Sequence, residues 1–108
     1  MPIHAKDMAP TAKDARREAD MLDDIAAGYA IGSAVDKARL LAKAWRWYAD
    51  QHDAGDRVRI SYDPPPIPVR DFDYYATLDG YDGGDPIGHG KSRDEALTEL
   101  MIAVEEAR

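Results

Sequence analysis

A possible phosphate-binding loop lies at residues 88–92, which read GHGKS. Such a loop needs a glycine, four further residues and then Gly-Lys-Ser/Thr, so that backbone N–H groups and the lysine surround the phosphates. The position of the first glycine is occupied here by Asp85, and Gly84 lies one residue too far away. We therefore interpret residues 88–92 as a tight strand-to-helix junction capped by Ser92, and we predict no cofactor.

Three aspartates at three-residue spacing, Asp79, Asp82 and Asp85, are the pattern closest to a metal site. A calcium loop of the EF-hand type takes oxygen ligands at alternate positions, and Tyr81 and Gly83 interrupt that alternation. Aspartate is also a common turn residue because its side chain bonds to nearby backbone. The spacing therefore predicts turns, and no metal is predicted.

Residues for nucleophilic catalysis are few. The chain has no cysteine and three histidines, His4, His52 and His89. None of these histidines forms a recognisable nucleophile–base pair with Ser61 or Ser92, and Ser92 already serves as a helix cap. The protein is therefore predicted not to be an enzyme.

Residues 65–70 read PPIPVR and match the PxxPxR pattern of ligands for SH3 domains. The alternative, which we favour, is a rigid connector between two strands. Prolines at 64, 65, 66 and 68 exclude regular helix or strand and favour the polyproline II conformation.

Trp47 is a candidate anchor for a protein contact. It lies two residues after Trp45, which corresponds to about 200° around a helix axis, so both cannot share one buried face. Exposed tryptophan is frequent at the centre of protein interfaces. Packing against the first helix is the alternative, and the sequence leaves both open.

The net charge of −7 is unevenly distributed. Residues 1–55 hold 8 basic and 9 acidic groups, whereas residues 56–108 hold 6 basic and 12 acidic groups. Nucleic-acid binding needs a basic surface, so no direct nucleic-acid contact is predicted. Clustered carboxylates instead suit a basic groove on another protein. The predicted partner-binding residues are Asp71, Asp73, Asp79, Tyr81, Asp82, Asp85 and Trp47.

Two helices are predicted in the first half of the chain. The first starts at Pro10 and carries an apolar stripe at helical spacing in which most residues are alanine: Ala12, Ala15, Ala19, Leu22, Ala26 and Tyr29. The second runs over about 34–52, with Ser33 as its N-cap and Gly55 as its C′ residue. Its predicted apolar face is Val35, Ala38, Leu41, Ala42, Trp45, Tyr48 and Ala49.

The period then changes from 3.6 to 2, which predicts strands over 57–63, 72–79 and 87–90. A last helix begins after Ser92, in the capping box of residues 92–95. The sequence predicts an α+β fold of order α-α-β-β-β-α, with a three-stranded antiparallel sheet packed on helices. Residues 1–9 are predicted to be a flexible N-terminus, and 10–108 a single domain with helical (10–55) and acidic (56–108) parts.

No apolar run is long enough to span a membrane, and the first residues lack the apolar core of a signal peptide. The absence of cysteine is compatible with a reducing compartment. The expected location is the cytoplasm, which would be that of a bacterial host cell if the source is a virus.

The junction Gly88-x-Gly90-Lys91-Ser92, followed by Glu95 and Ala96, resembles the end of the third strand in double-stranded RNA-binding domains. The α-β-β-β-α order of residues 34–107 is similar too. That family places lysines at the start of the last helix to hold phosphates. This chain has Arg93 and Asp94 there, so the resemblance implies the fold without the basic residues.

Residues 57–107 also resemble the core of HicB-type antitoxins, in which a β-β-β-α unit occludes a small ribonuclease toxin. The Glu95-Ala96-Leu97 helix start fits that family, whereas its Gly-Cys signature is absent. The proline run, the Asp-aromatic strand and the Gly-x-Gly junction look most like a group of small uncharacterised phage and prophage proteins.

These resemblances lead to three functional hypotheses. The first is a phage-encoded, non-enzymatic inhibitor of a host protein or protein complex, such as an anti-CRISPR protein with an acidic binding surface. The second is a HicB-like antitoxin, and the third is a degenerate double-stranded RNA-binding module. Trp47 and the tyrosine-rich strand also allow a homodimer.

Overall fold

Three helices and three strands make up the computed structural model, which describes residues 10–28 and 32–107. In chain order they are α1 (Ala12–Ala27), α2 (Ser33–Asp53), β1 (Val58–Tyr62), β2 (Tyr74–Leu78), β3 (Gly88–Gly90) and α3 (Arg93–Glu106). The predicted α+β fold and its α-α-β-β-β-α order are thus confirmed. The predictions for residues 1–9 and for Tyr29 lie outside the described residues. None of the helices described is long and apolar enough to cross a membrane.

Small residues bring α1 and α2 together as an antiparallel hairpin. Alanines of both helices, among them Ala15, Ala19 and Ala42, are fully buried there. At the rim of this contact, Arg16 of α1 pairs with two aspartates of α2, and Arg46 of α2 pairs with two aspartates of α1. These two arginines therefore link α1 and α2 at the rim of their contact.

Two predicted helix starts are wrong by one or two residues. The first helix begins at Ala12 rather than Pro10, because Thr11 accepts a hydrogen bond from the Asp14 N–H at 3.1 Å and acts as the N-cap. The second helix has Gly32 as its N-cap, and Ser33 is already its first residue. Gly32 adopts a φ of 125°, which a side-chain-bearing residue rarely takes. The predicted C′ residue Gly55 is confirmed, since it follows the C-cap with a φ of 86°.

The sheet has the order β1-β2-β3, and both pairs of strands are antiparallel. Its registers align Ile60 with Ala76 and Ala76 with Gly88. Residues with even numbers therefore share the face that packs on α3, as the alternation of β1 predicts. Odd-numbered residues, including Tyr75 and His89, lie on the opposite face.

The two glycines of β3 allow the strand to press against the backbone of α3. A Cβ atom on Gly88 would lie 2.2 Å from the Ala96 carbonyl oxygen, and one on Gly90 would lie 2.6 Å from Glu95 Cβ. Neither glycine has a positive φ, so close approach is the reason for both. Ser92 accepts a hydrogen bond from the Glu95 N–H at 3.2 Å. The interpretation of residues 88–92 as a capped strand-to-helix junction is confirmed.

The core lies between the sheet, α2 and α3. Its largest fully buried side chains are Trp45, Tyr48, Val58, Ile60, Leu97, Leu100 and Met101. Trp45 and Tyr48 belong to the apolar face predicted for the second helix. Burial of side chains of this size contributes about 1.5–3 kcal/mol each before conformational entropy is counted. The alanines of α1 contribute less, so α1 depends on α2 for its stability.

The proline run does not form the straight polyproline II connector that we predicted. The Ile67 N–H donates to the Pro65 carbonyl at 2.8 Å, which closes a tight turn. Polyproline II has no internal hydrogen bonds, so the run is bent at this point. Arg70 also donates to the Pro65 and Ile67 carbonyls and fixes the bend. Its guanidinium is therefore engaged by its own loop, which disfavours the SH3-ligand interpretation.

Candidate functional site

Three aspartates of the predicted acidic surface form ion pairs. Asp79 pairs with Arg59 at 2.7 Å, and Asp71 pairs with Lys91 at 3.4 Å. Asp73 is only 8% exposed and lies 3.3 Å from Arg70. Burial leaves Asp73 little surface for a partner. The exposed pairs contribute little stability, because water screens them.

Asp82 and Asp85 shape their own loop. The Asp85 carboxylate accepts from the Asp82 N–H at 2.9 Å, and the Asp82 carboxylate accepts from the Gly83 N–H at 2.9 Å. This geometry matches the interpretation of these residues as turn formers. Within residues 10–28 and 32–107, no three histidine or carboxylate side chains converge in a way that could hold a metal ion. Both aspartates are exposed, as is the neighbouring Tyr81, so all three are accessible to a partner.

Trp47 is half-buried and packs against the hydrophobic core. Packing within the fold therefore covers part of its surface, and the rest is accessible to a partner. Trp45, by contrast, is 1% exposed and lies beneath the Arg93 guanidinium, 5.4 Å from the ring centroid. The two tryptophans thus differ in exposure, as their separation around the helix requires.

Two of the histidines, His52 and His89, lie in the described residues, and each contacts an aromatic ring. His52 stacks on Tyr48 with 4.2 Å between ring centroids. Burial raises the pKa of Tyr48 to about 12, and burial together with Arg57 lowers the pKa of His52. The Tyr48 hydroxyl donates to the Pro10 carbonyl. This aromatic group therefore ties the start of α1 to α2, which is a structural role.

A groove of about 490 Å³ runs along the outer edge of β3. One wall comes from α3, and the other comes from Phe72 and His89, whose rings are 5.5 Å apart in an edge-to-face contact. Ile87 immediately precedes the strand. The residues that line the groove are Asp71, Phe72, Ile87, His89, Glu95, Glu99, Ile102, Ala103 and Glu106.

The α3 wall of this groove is acidic. Glu95, Glu99 and Glu106 follow one another at spacings of four and seven residues, which places them on one face of the helix. No lysine or arginine of the described residues forms an ion pair with any of the three. Asp71 adds a fourth carboxylate, which Lys91 partly neutralises. Apolar surface of Phe72 and Ile102 lies between these charges.

We call this surface the acidic groove: Asp71, Glu95, Glu99 and Glu106 around the apolar residues Phe72, Ile87 and Ile102. Of the predicted site residues, only Asp71 lies in it. The three glutamates are not among the residues predicted from sequence, although their spacing on α3 is a visible signal. No sequence pattern shows that α3 borders an open sheet edge, so the spacing alone does not indicate a binding role.

Comparison with family models, with curated proteins and with solved structures finds no match to the chain. The α+β order implied by the resemblances is present in the structure. Phage origin, a HicB-type relationship and an RNA-binding relationship stay predictions.

Proposed function

We propose that this protein is a non-enzymatic binding protein whose acidic groove engages a basic surface of another protein. The observation that carries the proposal is the row of three glutamates on α3, without cationic partners in the described residues, beside the exposed Phe72 and the half-buried Ile87 and Ile102. Charged groups at a rim steer association and select the partner, whereas apolar surface provides contact area. The groove combines both.

The charged residues of the α1–α2 hairpin differ from those of the acidic groove. There Arg16 and Arg46 pair with four aspartates across the helix contact. The three glutamates of the groove have no such ion pair among the described residues, so their charge is available for a partner.

An inhibitor of a nucleic-acid-handling protein is the concrete form of the proposal. Such proteins present basic grooves to phosphates, and carboxylates can compete for the same cations. An inhibitor of a host defence complex, such as an anti-CRISPR protein, is one member of this class. Direct RNA binding is disfavoured by the same charge, because the groove would repel phosphates.

A HicB-like antitoxin is the second candidate. The observation that favours it is the β-β-β-α unit, which carries the groove on its own, without any residue of α1 or α2. A small ribonuclease toxin must be basic at its RNA-binding surface, so it would fit the same groove. A neighbouring gene for a toxin of about 60–80 residues, the size of a minimal domain, would support this candidate.

The test compares three tagged forms of the protein in affinity capture from host cells. The groove variant is E95Q/E99Q/E106Q, and the matched control is D24N/D56N/D63N, which removes three exposed carboxylates outside the groove. Both variants raise the net charge by three. We expect wild type and control to capture the same basic protein, and the groove variant to lose it.

The captured protein is then assayed for its own nucleic-acid binding or cleavage with increasing amounts of each form. Inhibition by wild type and control, with loss in the groove variant, is the expected result. Equal capture and equal inhibition by all three forms would contradict the proposal.

A further inference from the structure

The outer edge of β3 has no strand partner in the described part of the chain, because β2 occupies its inner edge alone. An exposed edge offers backbone donors and acceptors to an extended segment of another chain. The acidic groove runs along this edge.

The hydrogen bonds at the ends of the β1–β2 pair show which backbone groups of β3 point into the acidic groove. The Asp63 N–H donates to the Asp73 carbonyl at 2.8 Å, and the Asp79 N–H donates to the Arg57 carbonyl at 2.6 Å. In an antiparallel pair, bonded and non-bonded residue pairs alternate. Odd-numbered residues of β2 therefore bond to β1, and the even-numbered residues Tyr74, Ala76 and Leu78 face β3.

The register pairs Tyr74 with Gly90 and Ala76 with Gly88. These two glycines therefore direct their backbone groups towards β2, and His89 directs its N–H and C=O outward. His89 is exposed and lines the acidic groove, whereas Gly88 and Gly90 are buried. One backbone donor and one acceptor, both on His89, thus face the groove from the centre of β3.

The walls of the groove fit the two faces of an added strand. Glu95 and Glu99 are four residues apart on α3, which is about 6 Å along the helix axis. Residues i and i+2 of a strand are about 6.7 Å apart and lie on one face. Alternate basic side chains of an added strand would therefore meet Glu95 and Glu99 in turn. Apolar side chains of its other face would pack beside Phe72 and His89.

Charge decides against a second copy of this chain as the occupant. Pairing of two β3 edges about a two-fold axis would bring the α3 helices side by side, with Glu95 and Glu99 of each copy facing those of the other. Like charges at such separations repel. A basic segment replaces that repulsion with attraction.

We propose that the acidic groove binds an extended basic segment of a partner protein, which adds to β3 as a fourth strand through the backbone of His89. This inference rests on the proposed function and names the form of its partner. The partner segment alternates basic residues facing α3 with apolar residues facing Phe72. Because β3 is only three residues long, charge contacts must supplement a short backbone ladder.

The direct test uses a synthetic eight-residue peptide, Arg-Val repeated four times, titrated into the full chain and followed by NMR. In a fourth strand that runs antiparallel to β3, like the other strands of the sheet, the residue opposite His89 has its side chain on the Phe72 side and its N–H towards β3. N-methylation of the valine amides therefore removes the backbone hydrogen bonds that the peptide donates to β3, whereas N-methylation of the arginine amides leaves these hydrogen bonds intact. The two methylated peptides have the same charge and composition.

We expect the unmodified and arginine-methylated peptides to bind and the valine-methylated peptide to bind at least about tenfold more weakly. The His89 amide should become protected from hydrogen exchange on binding, while the Gly88 and Gly90 amides are already protected in the free protein. A peptide with glutamate in place of arginine should not bind. E95Q/E99Q should weaken binding of the Arg-Val peptide by about tenfold or more.

Equal binding of both methylated peptides, or an unprotected His89 amide in the complex, would overturn strand addition. A dimeric free protein with a protected His89 amide would overturn the choice of occupant in favour of a second copy. If no peptide binds but the groove variant still loses its captured partner, this inference fails and the proposed function stands. If the groove variant keeps that partner, the proposed function itself fails.

Discussion

Replacement of Gly88 by alanine tests the contact on which the groove is built. The added Cβ would lie 2.2 Å from the Ala96 carbonyl oxygen and 2.3 Å from the Leu100 nitrogen, both of them backbone atoms of α3. Ordinary contact begins at 3.4 Å, so strand and helix must separate by about 1.2 Å. Leu97, Leu100 and Met101 lie on the same helix and would lose packing as it moves.

Inserting one methyl group into a packed core costs about 1–3 kcal/mol. Here three backbone atoms of α3 lie within 3.0 Å of the added Cβ and the whole helix must shift, so we expect G88A to lose at least about 3 kcal/mol of unfolding free energy. A domain of this size has about 5–15 kcal/mol in total. G84A is the matched control, because nothing lies within 4 Å of its Cβ and its φ is not positive.

Urea denaturation followed by circular dichroism at the helix band measures both variants. G84A should stay within about 0.5 kcal/mol of wild type, since its site is open and exposed. A G88A protein within about 1 kcal/mol of wild type would refute the close packing of β3 on α3. It would also refute the placement of the acidic wall beside the strand edge.

Three further predictions concern stability. Burial and Arg57 lower the pKa of His52, so the unfolded state takes up a proton on His52 at higher pH than the folded state does. Stability should therefore fall as the pH drops below 6.5. H52N should reduce this dependence of stability on pH in urea titrations at pH 7.5 and 5.5. R70A should leave the free energy of unfolding within about 1 kcal/mol but increase proteolysis of the exposed proline bend, measured by limited digestion. T11A removes the side-chain cap of α1 and should cost about 1 kcal/mol, with T11S as the control that retains the hydroxyl.

Much of the fold could be predicted because its signals are local. The change of period after Gly55 separates the helical hairpin from the strands, and the capping box at Ser92 marks the last helix. Both features depend on residues within a few positions of each other. The close contact of Gly88 and Gly90 with α3 is also consistent with the junction predicted from residues 88–92.

The errors arise where local signals compete. Pro10 and Ser33 are both favourable near a helix start, but Thr11 and Gly32 hold the cap positions. The prolines favoured an extended connector, whereas Arg70 folds back on the run and bends it. The composition of the run does not show that the Arg70 side chain bonds to carbonyls three and five residues before it.

The candidate site could not be predicted because it depends on tertiary structure. Asp79 and Asp71 acquire cationic partners from other elements, and Asp73 becomes buried. Glu95 and Glu99 gain importance only because α3 lies along the free edge of β3. The sequence shows a row of glutamates on a helix, but only the fold shows what they border.

The measurement that tests the central claim most directly is calorimetric titration of the Arg-Val peptide into three proteins of full length. These are wild type, the groove variant E95Q/E99Q/E106Q and the control variant D24N/D56N/D63N. The account predicts that the control binds within about threefold of wild type, and that the groove variant binds at least about tenfold more weakly. Equal weakening of both variants would show that net charge alone attracts the peptide, and would contradict a binding site at the edge of β3.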